Sequence, residues 1–175
     1  MKTIRSHTVV FSIVFCLAYF SSQARVISPA PADYTLQTLY IFKFTKYVEW
    51  PAGNKVIKIG VVDNAAAEEY LTKMAKVKST VGAEISVINT KNDSELGSCQ
   101  IIFVPSNNTH LAAKLIERFG SQPILIITEE ADLTRKGACI SFKEVSGKLR
   151  FQINEEATKS RGLKVSSSLT ALSEK

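Results

Sequence analysis

VIKIGVVD, residues 56–63, is a short run rich in β-branched side chains; Asn64 and AAAEEYLTKMAKV, residues 65–77, follow it directly. An apolar run of this length between turn signals predicts a buried strand. Asn64 is a capping residue, and Ala67, Tyr70, Leu71, Met74 and Val77 recur behind it at helical spacing. Strand, cap and helix make the first half of a crossover unit, and the chain repeats the theme. Residues 84–90 read as a second strand and 91–97 as a polar connection. Residues 100–104 make a third strand ended by Pro105, with a helix over 109–119 stopped by Gly120. Residues 123–128, PILIIT, are a fourth strand, and 129–137 a loop with one helical turn. Residues 138–143 and 148–154 are two more strands, a hairpin by the spacing and by Gly147. Asn154 caps a last helix, broken at Gly162-Leu163 and resumed over 166–172. Strand alternating with helix predicts an α/β fold, a three-layer sandwich around a mostly parallel sheet. The flavodoxin-like, receiver-like order 2-1-3-4-5 fits, with the hairpin as an antiparallel edge.

Working back from the first strand, YTLQTLYIFKFTKYVEWP, residues 34–51, reads as a helix with an apolar arc wider than half its circumference. Leu36, Leu39, Tyr40, Ile41, Phe44, Tyr47, Val48 and Trp50 fill the arc, Lys43 falls inside it, and Phe42 lies on the polar side. Such a helix is expected to be covered on most of its surface. Asp33 is the expected N-cap, and Pro51 stops the helix at or before Trp50.

The first 24 residues are set apart. Lys2 and Arg5 precede an apolar run over 8–20, and Ser22-Gln23-Ala24 is a small-x-small cleavage site, the layout of a removed secretory signal peptide. The run is short of the ~20 residues of a membrane span. Residues 25–33, with Pro29 and Pro31, form an extended leader, and 34–173 a single domain. Cleavage takes the formal net charge from +6 to +4 and scatters what is left, with no basic block or basic helix. That gives nucleic-acid binding no support. Cys99 and Cys139 remain, each opening a strand, with one strand between them in the expected order. That separation is about 9–10 Å at ~4.8 Å per strand, beyond the ~7 Å a disulfide spans; it favours free thiols over a bridge.

In open sheets of this kind ligands bind at the carboxyl ends of the strands. Asp63 and Asn64, Ser106 and Asn107, and Thr128 and Glu129 are delivered there, a candidate pocket for a small polar ligand. Receiver chemistry is excluded, because the third strand ends Val104-Pro105-Ser106 without a phosphoacceptor aspartate. His110 stands alone, no metal-ligand cluster is spaced for zinc, and no nucleophile elbow, phosphate loop or dinucleotide fingerprint is present. The residues therefore suggest neither an enzyme nor a cofactor.

Several short patterns group together. Phe44-x-x-Tyr47-Val48-x-Trp50-Pro51 is followed by Ile57-x-Ile59-Gly60-Val61 and Cys99-x-Ile101-x-Phe103-Val104. Near the end come Phe151-x-Ile153-Asn154 and Gly162-Leu163-x-Val165-Ser166-Ser167-x-Leu169. Over residues 34–172 the chain resembles the YfiR-like family of exported bacterial proteins. The resemblance implies a periplasmic, non-enzymatic regulator that binds the periplasmic part of an inner-membrane signalling enzyme, a diguanylate cyclase or a sensor kinase. It also implies release through an outer-membrane lipoprotein, a link to cyclic di-GMP and biofilm growth, and a homodimer. Trp50, Pro51, Phe151, Asn154, Gly162, Leu163 and Ser167 are the matching positions. A regulator of this kind needs an anchored protein–protein surface. Phe42 is the candidate anchor, with burial against the leader or the terminal helix as the alternative. A small-solute binding protein using the strand ends is the rival reading.

Overall fold

In the computed structural model, which describes residues 32–53, 55–78 and 83–174, the β-branched runs form one six-stranded sheet. The expected signal peptide and most of the expected leader lie outside the described residues. In chain order the elements are α1 (Thr35–Tyr47), β1 (Val48–Glu49), β2 (Val56–Val61), α2 (Ala65–Lys78), β3 (Glu84–Asn89) and the single turn α3 (Asp93–Leu96). Then come β4 (Ile101–Val104), a 3-10 segment (Ser106–Leu111) running into α4 (Ala112–Phe119), β5 (Leu125–Thr128) and a 3-10 turn (Ala131–Leu133). The hairpin β6 (Ile140–Val145) and β7 (Lys148–Ile153), α5 (Glu155–Ser160), β8 (Lys164–Val165) and α6 (Ser167–Thr170) complete the chain.

The sheet order is β3-β2-β4-β5-β6-β7, the expected 2-1-3-4-5 order with the hairpin at one edge. Strands β2 to β6 run parallel, with Ile59 beside Ile101, Ile101 beside Leu125 and Ile127 beside Ile140. Only β7 is antiparallel, pairing Phe142 with Phe151. Strand alternation sorts the apolar side chains into two cores. Ile57, Ile59, Val61, Ile101, Phe103, Leu125, Ile127, Phe142 and Phe151 pack with α1 and α2 on one face. Ile102, Val104, Ile124 and Ile126 pack with Leu115, Ile116 and Phe119 of α4 on the other. Cys139 belongs to the first core and Cys99 to the second. Both are free thiols, separated by the sheet itself.

α1 departs from the sequence expectation at both ends and in its buried face. Tyr34 occupies the N-cap position without a side-chain bond, while Asp33 Oδ1 accepts from the Thr35 N–H at 2.9 Å. The helix stops at Tyr47 rather than Trp50, because Val48 and Glu49 pair antiparallel with Val165 and Lys164 of β8. The buried side carries Thr38, Ile41, Phe42, Phe44 and Thr45. Phe42, expected as an exposed anchor, is 5% exposed and belongs to the larger core, so it is no surface contact. The neighbouring threonines read as polar in the sequence, but Thr45 Oγ1 donates to the Phe42 carbonyl at 2.9 Å. That local bond satisfies a hydroxyl inside the fold. The wide apolar arc then overshoots the core. Leu36 is 52%, Leu39 42% and Tyr47 41% exposed on the solvent side.

The matching positions turn out to hold the two ends of the domain together. Trp50 Nε1 donates to the Gln100 carbonyl at 3.2 Å, pinning the segment after β1 to the sheet. Gly162 sits at φ +70°, and a Cβ placed there would lie 3.3 Å from Pro51 Cγ; both the conformation and the space call for glycine. Leu163 is buried, and the Phe151 ring meets Phe44 edge-on at 5.2 Å. Asn154 caps α5 through the Ala157 N–H at 2.8 Å and donates to the Thr134 carbonyl at 2.7 Å. α6 opens at Ser167 behind Ser166, whose hydroxyl caps the Leu169 N–H at 3.2 Å.

Candidate functional site

The turns after β2, β4 and β5 meet at one end of the sheet, and the structure places five of the six predicted ligand residues there in neighbouring hydrogen-bonded groups. Asn64 is the centre of the first. Its Oδ1 accepts from the Ala67 N–H at 2.8 Å and so caps α2, while its Nδ2 donates to Tyr34 Oη at 2.8 Å and Asn107 Oδ1 at 3.0 Å. Glu129 forms a second knot. Its Oε2 accepts from the Ser106 N–H and its Oε1 from Gln37 Nε2, both at 2.8 Å. Asp63 takes the left-handed conformation at φ +44°, which aspartate tolerates better than most residues. The Asp63 carbonyl and that of Val62 accept from the buried Asn108 Nδ2 at 3.0 and 2.9 Å. Its carboxylate pairs with Lys91 Nζ at 2.6 Å. Thr128 stands apart, buried and hydrogen-bonded to Ser141 at 2.8 Å.

Sequence reasoning missed the residues that complete this arrangement. Tyr34 and Gln37 come from the start of α1, which lies over the strand ends, and Asn89 accepts from the Asn64 N–H at 3.0 Å. Asn108, next to the predicted Asn107, supplies the bonds that fix the β2 turn. The sequence signal for it is the Asn107-Asn108 pair after Pro105. The Tyr34 ring stands edge-on to Phe103 and Tyr70 at 6.1 and 6.4 Å. Burial raises its phenol pKa, the Glu129 charge adds to the rise, and the Asn64 bond opposes it. The phenol therefore stays protonated through the neutral range. The predicted ligand groups bond to one another and to α1. At ~1 kcal/mol net for each such bond, the network fastens α1 to the sheet. Among the described residues no group of three or more His, Cys, Asp or Glu could hold a metal ion. None of the helices there is long and apolar enough to cross a membrane.

A second feature is a surface. The solvent side of α1 presents Leu36, Leu39, Lys43 and Tyr47 in one stripe, with Lys43 Nζ 5.6 Å from the Tyr40 ring centroid. At its start a groove of about 210 Å³ is lined by Asp33, Leu36, Gln37, Glu144, Gly147 and Leu149. Another, of about 310 Å³, opens beside Trp50, Pro51, Val56 and Pro123.

Comparison with solved structures shows the fold. A conserved domain protein from Vibrio cholerae O1 biovar El Tor superposes with a TM-score of 0.50 at 15% identity, covering 78% of this chain and 58% of that one. The ABC domain in complex with L-Trp from Streptococcus pneumonia superposes with a TM-score of 0.52 at 12% identity, covering 75% and 57%. This chain thus spans under three fifths of either neighbour. A comparison with curated proteins finds no match. The family model described as YfiR/HmsC-like matches residues 34–174, taking in α1, the whole sheet and the β1–β8 closure. With a match of that extent, the chain belongs to the YfiR/HmsC-like family.

Proposed function

We propose that this protein is a periplasmic regulatory binding protein that controls an inner-membrane signalling enzyme, a diguanylate cyclase or a sensor kinase, by contact with its periplasmic part. The family match over residues 34–174 carries the reading. The strand ends support it. Where an α/β sheet ordinarily receives a ligand, this one has Asn64 bonded to Tyr34 and Glu129 bonded to Gln37. Regulation of this kind is differential binding: swinging a partner from 1:99 to 99:1 takes ~5.5 kcal/mol of preference for one of its states. On this reading the protein works as a homodimer, and an outer-membrane lipoprotein draws it off the enzyme.

The test is to delete the gene and measure cyclic di-GMP and biofilm mass, alongside cross-linked pull-down of the mature protein from membranes. A rise in cyclic di-GMP with recovery of a diguanylate cyclase supports the reading. Unchanged second messenger together with no membrane signalling protein in the pull-down refutes it. A small-solute reading draws on the fold shared with a domain solved with L-Trp. It requires the α1 latch to open at Asp63, Asn64, Ser106, Asn107 and Glu129. A ligand at 100 times its Kd adds about 2.7 kcal/mol to stability, which a melting screen of amino acids and small metabolites detects.

A further inference from the structure

We propose that the outer face of α1 and the groove at its start receive one amphipathic helix of the regulated partner, laid antiparallel to α1, acidic in its first turn and basic in its last. This assignment rests on the regulatory reading above and adds the surface and the chemistry of what binds there. The fold does not account for the stripe. α1 is held through Ile41, Phe42, Phe44, Thr38 and Thr45, so Leu36, Leu39 and Tyr47 could be polar without loss to either core. Contiguous exposed apolar side chains of this kind mark interaction surfaces. The groove of about 210 Å³ at the end of the stripe, lined by Asp33, Gln37 and Glu144 beside Leu36 and Leu149, gives a lysine or arginine of the partner's last turn a place for its charged head, with its stem against the two leucines.

Charge sets the direction. Asp33 and Glu144 line the groove at the start of α1, Lys43 and Lys46 lie in its second half, and no carboxylate lies within the helix. A helix running antiparallel puts its first turn near the two lysines and its last near the two acids. Acidic first turns and basic last turns are also what a helix's own dipole favours, so one layout satisfies both demands. A membrane surface fits less well, because Asp33 and Glu144 would face anionic headgroups. So does a second copy, since a twofold axis through the middle of the stripe brings two Lys43 side chains together with no acid between them.

The experiment uses the mature full chain, isotopically labelled, and a synthetic helical peptide with a leucine stripe, glutamates in its first turn and lysines in its last. Its charge-reversed counterpart is the control. Expected are saturable shifts at Leu36, Leu39, Lys43 and Tyr47 with the first peptide only. L36E/L39E should weaken binding about tenfold or more with its melting temperature unchanged. K43E/K46E should lose the first peptide and gain the reversed one. Shifts elsewhere, or equal binding of both peptides, overturn the proposal. Loss of a dimer in L36E/L39E assigns the face to a second copy, and co-sedimentation with phosphatidylglycerol vesicles that these substitutions abolish assigns it to lipid; either overturns it. In cells, a deletion that alters cyclic di-GMP but is fully complemented by L36E/L39E sinks the surface while the regulatory reading stands. A deletion without effect sinks the regulatory reading, and the peptide result then decides the surface alone.

Discussion

Truncating Phe42 and Leu36 in separate variants tests which side of α1 is inside. Phe42 is 5% exposed in the core that joins α1 to Phe103, Phe142 and Phe151, while Leu36 lies on the opposite arc. Phe42→Ala removes a buried ring and leaves a cavity that a close-packed interior closes only in part, a change that costs ~3–5 kcal/mol. For a domain of this size each kcal/mol lowers Tm by about 4 °C, so the expected drop is roughly 12–20 °C. Leu36→Ala alters a surface side chain, and its effect should stay within about 0.5 kcal/mol. Urea unfolding followed by circular dichroism supplies both values, with the slope of the transition confirming that the same surface is exposed in each variant. If Phe42→Ala costs under about 1 kcal/mol, or if Leu36→Ala matches it, the burial assigned to α1 is wrong. Leu36 and Leu39 would then not be free to meet a partner.

A Cβ at Gly60 would lie 2.8 Å from Leu96 Cδ2 and 3.0 Å from Cys99 Sγ; Gly60→Ala should destabilise by ~1–3 kcal/mol, with Leu96→Ala in the same chain recovering part of it. Asn154→Ala removes the α5 cap and the bond to the Thr134 carbonyl, and should cost ~1–2 kcal/mol by thermal unfolding. Burial pushes the Cys99 thiol from its ordinary 9.0 up to about 11. In that window the unfolded chain has lost the proton the folded one keeps, so stability should fall as pH rises from 9 to 11, and less so in Cys99→Ala. The Cys99 thiol should also react slowly with a disulfide reagent at pH 8; fast modification of native protein would contradict its burial.

The sheet was legible because its information is local. IGVV (59–62), IIFV (101–104) and ILIIT (124–128) are buried on both faces and read as such, and Asn64, Gly120 and Asn154 mark the boundaries between elements. The hairpin was read correctly, though β6 proved parallel to β5 and only β7 antiparallel. α1 was misread where tertiary contacts decide. Nothing local says that Val48 leaves the helix to pair with Val165. Thr38 and Thr45 look like a wet face and are buried; Thr45 bonds back to its own helix, while the Thr38 hydroxyl has no such bond. The strand-end residues were found by topology. Their bonding to Tyr34, Gln37 and Asn108 depended on where α1 and the β4 turn come to rest, which no spacing in the chain records.

The pairing of β1 with β8 links residues more than a hundred positions apart. The Ser166 N–H donates to the Tyr47 carbonyl at 2.9 Å, and the Glu174 N–H to the Phe151 carbonyl at 2.9 Å. The tail is thus a clasp on the leading helix. Cleavage near Arg161 would strip away the only strand that pairs with residues 48–49 among those described, and slacken α1 from its far end. A fusion or affinity tag joined at the tail would press on that clasp, so a bulky carboxyl-terminal addition is the one most apt to disturb the helix proposed to meet the partner.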